Sequence, residues 1–169
     1  MKELGHLVLR FVFGLIFILH GCQHVIPSFG GGTGLKGAEE TVTRAGFRPS
    51  WLWGPLFGFG MLAGGLSVFF GAFTQLGAAT IITIMTVAVL SNKLARGFWN
   101  KNHGYEYNLS LIAGVAAVGL LGPGARSLDA ILGLPLMNPG LFFAALVLFL
   151  IVAGLGFLTR QPVQEAARH

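Results

Sequence analysis

The chain reads as an all-α protein: a polytopic transmembrane helical bundle with four core spans and a fifth, C-terminal span. Three observations carry that expectation. Of 169 residues, 54% are hydrophobic and only 10% are charged, whereas a soluble domain carries roughly a quarter charged residues. Mean hydropathy is +0.74, so lipid rather than water has to be the main solvent. Five stretches meet or approach the ~20 apolar residues that a helix needs to cross the hydrocarbon core. The length fits one integral membrane domain over residues 1–169.

The first span is expected at about Leu7–Ile26, as a retained membrane helix rather than a signal peptide. The second covers about Trp51–Phe73 and the third about Leu76–Asn92. Only Thr74 and Gln75 separate them, which makes them antiparallel neighbours. The fourth is expected at about Tyr107–Gly122 and the fifth at Pro139–Leu158. The loop after the first span begins with "GGGTG", and its continuation "LKGAEETVTRAGF" suits a short interfacial helix. The spacings Gly54-x-x-x-Gly58 and Gly60-x-x-x-Gly64 let helix backbones approach closely in lipid.

Alternating spans place the loop at 27–50, the loop at 93–106 and the C-terminus on one face, here side B. The N-terminus, the short link and the last link "GPGARSLDAILGLPLMN" lie on side A. Side B holds eight basic residues: Lys36, Arg44, Arg48, Lys93, Arg96, Lys101, Arg160 and Arg168. Side A holds three: Lys2, Arg10 and Arg126. The positive-inside bias then turns side B to the cytoplasm. The net charge of +5 is scattered among apolar spans and is no nucleic-acid signal.

The polar residues inside the spans are the candidates for function. At 100° per residue, Arg10, His20 and His24 share one wedge of roughly 80° on the first helix, over an axial rise of about 21 Å. Ionisable groups at that depth are costly and tend to face the bundle interior. Arg10 is expected to snorkel towards side A. A second cluster, "NKNHGYEYN", opens the fourth span on side B and supplies His103, Tyr105 and Glu106. Glu106 suits the N-terminal end of that helix, and the aromatic residues around it suit headgroup anchoring. His20, His24, His103, Tyr105 and Glu106 are expected to converge as a cofactor-binding site. The hydroxyls of Thr80, Thr83 and Ser91 are expected to bond their own helix backbone.

Several chemistries are set aside. Cys22 is the only cysteine, which excludes an intrachain disulfide and a CxxC pair. No GxSxG, HExxH or P-loop occurs. His20 and His24 have the i, i+4 spacing of a metal pair, but a metal would need further ligands, with His103 and Glu106 as candidates.

The segments "HGCQH", "FGGGTGLKG", "GFWNKNHGYEYNLSL" and "GPGARSLD" resemble the DoxX family of small bacterial membrane proteins, over about residues 7–133. Many members carry lysine where this chain has His24, and most have four spans, so the fifth is an addition. The family is similar to the small membrane subunit of archaeal thiosulfate:quinone oxidoreductase. Actinobacterial relatives are linked to a membrane complex with a sulfurtransferase and superoxide dismutase in oxidative-stress defence. The resemblance implies membrane redox chemistry without naming a reaction.

The expected function is therefore a quinone-interacting membrane subunit of a redox complex, with a larger protein partner that supplies electrons. Imidazoles near pKa 6.5 can exchange protons at neutral pH. The alternative is a non-catalytic anchor whose basic side-B loops dock a larger partner complex. A solute carrier is disfavoured, because no repeats or paired broken helices are visible.

Overall fold

The structure, a computed structural model, describes residues 2–134, 138–158 and 160. Residues 135–137 of the last link and Arg168 of the charge count lie outside the described residues. The helices are α1 (Lys2–Val25), α2 (Gly34–Arg44), α3 (Ser50–Phe70), α4 (Thr74–Ala88), α5 (Glu106–Leu121), α6 (Leu128–Ile131) and α7 (Pro139–Leu158). No strand occurs among the described residues. Four helices are long and apolar enough to cross a bilayer: α1, α3, α4 with its continuation to Arg96, and α7. The fifth apolar helix, α5, has only 16 residues, about 24 Å of rise.

The all-α bundle expected from the sequence is present. The second span is shorter than expected, because α3 stops at Phe70. Gly71 takes φ 71° there as a left-handed C-cap, a conformation glycine enters without steric cost. The interfacial helix expected after the glycine run is α2. It buries Ala38 and Val42 and exposes Lys36, Glu40 and Arg44.

Helix α4 is the axis of the bundle. Half of its span is buried, against 17% for α7. It packs against α3, α5 and α7, while α1 lies mainly on α3. The α1–α3 seam is built from glycines. A Cβ on Gly14 would come within 2.6 Å of Phe69, one on Gly21 within 2.5 Å of Leu62, and one on Gly65 within 2.6 Å of the Ile18 nitrogen. Lipid tails are as apolar as the helices, so close backbone packing has to supply the attraction. Gly58 meets His24 and Val25, and Gly64 meets Ile81. Phe17, Met61, Val68, Ile81, Val115 and Val118 fill the centre.

Polar side chains inside the bundle are mostly committed to backbone. Thr80, Thr83 and Thr86 each donate to the carbonyl four residues back, at 2.9, 2.9 and 2.8 Å. Ser91 departs from this pattern: its hydroxyl is buried without a partner. The helix widens into a π turn over Val89–Lys93, and Arg160 donates to the Ser91 carbonyl at 3.4 Å. Lys93 Nζ reaches Asn108 Oδ1 at 2.7 Å and so ties the end of α4 to α5.

Side A is closed by Arg10, which is 2% exposed. Its Nε donates to the Val68 carbonyl at 3.1 Å and its Nη2 to Phe69 at 3.2 Å. Its Nη1 donates to Pro123 at 2.7 Å and Arg126 at 3.1 Å. This corrects the expectation that Arg10 snorkels to headgroups. The last carbonyls of α3 lack helical partners, and a guanidinium with five donors can span several acceptors at once. The side chain packs where Gly71 would carry a Cβ. Nearby, Asp129 accepts from the Phe73 and Thr74 nitrogens at 2.9 and 3.3 Å, and from the Thr74 hydroxyl at 3.4 Å. The N-terminus of α4 is thus capped by a carboxylate 55 residues away.

Replacing Arg10 by leucine leaves four acceptors unmet, two of them buried and two part-buried. The expected loss is about 3 kcal/mol or more, at ~1–3 kcal/mol for each unsatisfied group. Thermal unfolding in detergent measures it. Arg10→Lys should recover less than roughly half, because a compact ammonium cannot reach carbonyls on both elements.

Candidate functional site

On side B the chain leaves α1 and folds back over its end. Ser28, Gly30, Gly31 and Gly34 all have positive φ, which is why the run "SFGGGTG" is so poor in side chains there. Gln23 Nε2 donates to the Gly30 carbonyl at 2.9 Å, and the Ser28 nitrogen to Gly32 at 2.8 Å. Beneath this loop lies a polar cavity of 220 Å³, lined by Gln23, His24, Thr33, Thr41 and glycines of the loop. His24 is half-buried. Its ring meets Phe57 of α3 edge-on, with centroids 4.8 Å apart and planes at 67°.

Phe57 also lines a second, apolar cavity of 410 Å³, a size in the range of small-molecule pockets. This cleft opens between α3 and α7, with α4 as its floor. Its walls include Gly60 of α3, Thr83 and Ile84 of α4, and Phe149 and Val152 of α7. The threonine hydroxyls facing it are spent on their own helix, so the wall offers no free donor. Val42 and Phe47 close it towards side B. There Phe47 stacks edge-on with Trp53 at 5.5 Å and with Phe157 of α7 at 5.1 Å. Gly156 lets α7 come this close: a Cβ on it would stand 2.9 Å from both Phe47 and Trp53. The polar chamber and the apolar cleft share no lining residue: the His24–Phe57 ring pair stands between them, with His24 lining the one and Phe57 the other.

The five residues expected to form a site fall into two groups. His20 and His24 end α1, one turn apart. Of these only His24 lines a cavity; His20 is exposed and its Nδ1 lies 2.9 Å from the Ile16 carbonyl. His103, Tyr105 and Glu106 belong to a compact turn before α5. His103 is exposed at φ 59°. Tyr105 packs on Phe98 at 5.6 Å. The Glu106 carboxylate accepts from the Asn100 nitrogen at 3.0 Å, so it closes its own loop, and no side chain caps α5. Backbone bonds from Gly104, Tyr105 and Glu106 to Trp99, Gly97 and Phe98 seal that turn.

Among the described residues, no hydrogen bond, ring contact or described cavity joins the two groups. Nor do any three or more His, Cys, Asp and Glu side chains gather to hold a metal, so the ligand set of His20, His24, His103 and Glu106 is not assembled. The reason is local: the end of α1 lies against α3, while the 97–106 segment satisfies its polar groups internally. Sequence reasoning missed Gln23, Thr41 and Phe57. The first two adjoin the glycine run, which was a usable signal; Phe57 is one of 15 phenylalanines and carries none.

Apolar spans, inward polar groups paired to backbone, and a cleft open to the lipid side define a multi-pass α-helical membrane protein in contact with the bilayer. The chain belongs to the DoxX family, whose family model matches residues 5–93, from α1 to the end of the π turn. No curated protein and no solved structure matches it.

The aromatic contact of α7 gives a test. Gly156→Leu should cost about 1–3 kcal/mol by overpacking against Phe47 and Trp53. Gly154→Leu should cost nothing, because a Cβ there meets no atom within 4 Å. Unfolding midpoints in detergent compare the two.

Proposed function

We propose that this protein is a quinone-interacting subunit of a redox complex in the bacterial inner membrane. The observation that carries the reading is that a single ring pair, His24 and Phe57, separates the polar chamber from the apolar cleft. A membrane quinone is an amphiphile of matching form. Its hydrocarbon tail suits the cleft, and its ring carbonyls suit His24 and the second amide hydrogen of Gln23, whereas the Thr41 hydroxyl is spent on the Gly37 carbonyl at 2.7 Å. Rotation of the Phe57 ring opens the way between them.

Reduction of a quinone to a quinol takes two electrons and two protons. The electrons come from a redox protein docked on side B. His24 hydrogen-bonds one carbonyl and passes it a proton, and Gln23 hydrogen-bonds the other. Both protons, the one His24 relays and the one the second oxygen takes directly, come from water reaching the polar chamber. His20, His103, Tyr105 and Glu106 stand on the side-B rim, where they meet the partner rather than the ring.

The anchor reading keeps a place beside this one. Lys36, Arg44, Arg48, Arg96 and Lys101 are all exposed, and among the described residues only the exposed Arg44–Glu40 pair at 3.4 Å neutralises any of them. They form a basic face suited to an acidic protein partner.

Gentle purification followed by lipid extraction tests the quinone reading. The native protein should retain quinone at near one per chain, and His24→Ala should lower that about tenfold. His20→Ala should leave it unchanged. Quinone no higher than its share of the surrounding lipid, in native and variant alike, refutes the reading. Charge reversal at Arg48 and Arg96 should abolish partner co-purification while retaining bound quinone.

A further inference from the structure

The wall of the cleft is shared unequally. Helices α3 and α4 lie within the segment matched by the family model, residues 5–93, while α7 lies outside it. Without α7 the faces of Gly60, Thr80, Thr83 and Ile84 would be open to lipid, and no cavity would exist. On α7 the lining runs from Leu148 to Ala153. The lining residues of α3, Trp53 to Gly60, span eight residues, about 10 Å of rise. The cleft is therefore too short for a long tail. It holds only the part nearest the ring, and the rest leaves sideways into the bilayer.

Resting on the quinone reading, we propose that α7 is the specificity wall of the site. It recognises the ring-proximal isoprenoid units of the quinone tail, and the ligand enters laterally between α3 and α7. Three features support this occupant. The lining mixes aromatic and branched aliphatic side chains with the small residue Ala153, which leaves room for methyl branches. No unsatisfied polar group faces the cleft, since Thr80 and Thr83 are back-bonded. The side-B end is shut by Phe47, Trp53 and Phe157, and the Phe57 ring stands between the cleft and His24, so the opening left is the lipid side.

Val152 is the residue to change. It lines the cleft yet is 43% exposed, so a larger side chain there narrows the entrance without entering the core. Leu155, 57% exposed and not part of the lining, is the control on the same helix. Two probes are titrated into the detergent-solubilised full chain: a benzoquinone with two isoprene units, and the same ring bearing only a methyl group.

The native chain should bind the prenylated probe at least about tenfold more tightly than the methyl one. Val152→Trp should abolish that preference by weakening the prenylated probe at least about tenfold, with a smaller effect on the methyl probe. Leu155→Trp should alter neither. If Val152→Trp weakens both probes equally, or if the preference survives it, α7 is not the specificity wall, although the quinone reading stands. If neither probe binds the native chain while His24→Ala and native samples carry the same lipids, the quinone reading itself fails and this inference with it. Unfolding midpoints of the variants, expected to match the native one, separate misfolding from loss of recognition.

Discussion

The organisation of this membrane protein depends on one guanidinium. Arg10 binds carbonyls of Val68, Phe69, Pro123 and Arg126, and those acceptors belong to two segments that are far apart in the chain. In hydrocarbon an unpaired carbonyl is expensive, so the end of α3 and the loop before α6 each need what Arg10 supplies. Asp129 completes the arrangement from the other direction by capping α4. The cation and the anion are not joined to each other; each satisfies backbone. The side-A ends of α1, α3 and α4 are thereby held against the loop that leads to α6.

With side A closed in this way, the bundle can be loose elsewhere. Helix α7 lies on α4 and reaches α3 only through an aromatic clasp near side B, where Phe47 bridges Trp53 and Phe157. Below that clasp the two helices diverge and leave the cleft. The glycines serve one end throughout: those on the α1–α3 seam bring two backbones together, and Gly60 at the cleft lets α3 stand against Ile84 of α4, which a Cβ would meet at 3.2 Å.

Much of this was legible in the sequence. The spans, the interfacial helix α2, the close glycine seams and the back-bonded threonines all follow from local composition and period. Arg10 was visible as a buried-face cation, but its partners were not, because they lie 58 to 116 residues away. Asp129 sits in "GPGARSLD", a stretch the sequence singles out, yet nothing local shows that it caps another helix. The candidate site was half legible. His24 stands in a chamber, and the glycine run beside it forms the roof. Grouping His24 with His103, Tyr105 and Glu106 rested on their sharing one membrane face, and a shared face is weaker than shared contact. The turn at 97–106 consumes its own hydrogen bonds, so nothing pulls it towards α1.

Helix α5 carries a further consequence. At 16 residues it falls about 6 Å short of a 30 Å hydrocarbon layer. Its neighbour α4 continues to Arg96 as a span of 23 residues, so the shortfall is confined to one flank of the molecule. Lipids beside α5 have to thin or tilt to meet it. The protein thus carries a built-in dimple in the membrane, and headgroups and water sit deeper there than around α1 or α7. A partner with its own short hydrophobic belt would relieve that distortion by settling against this flank.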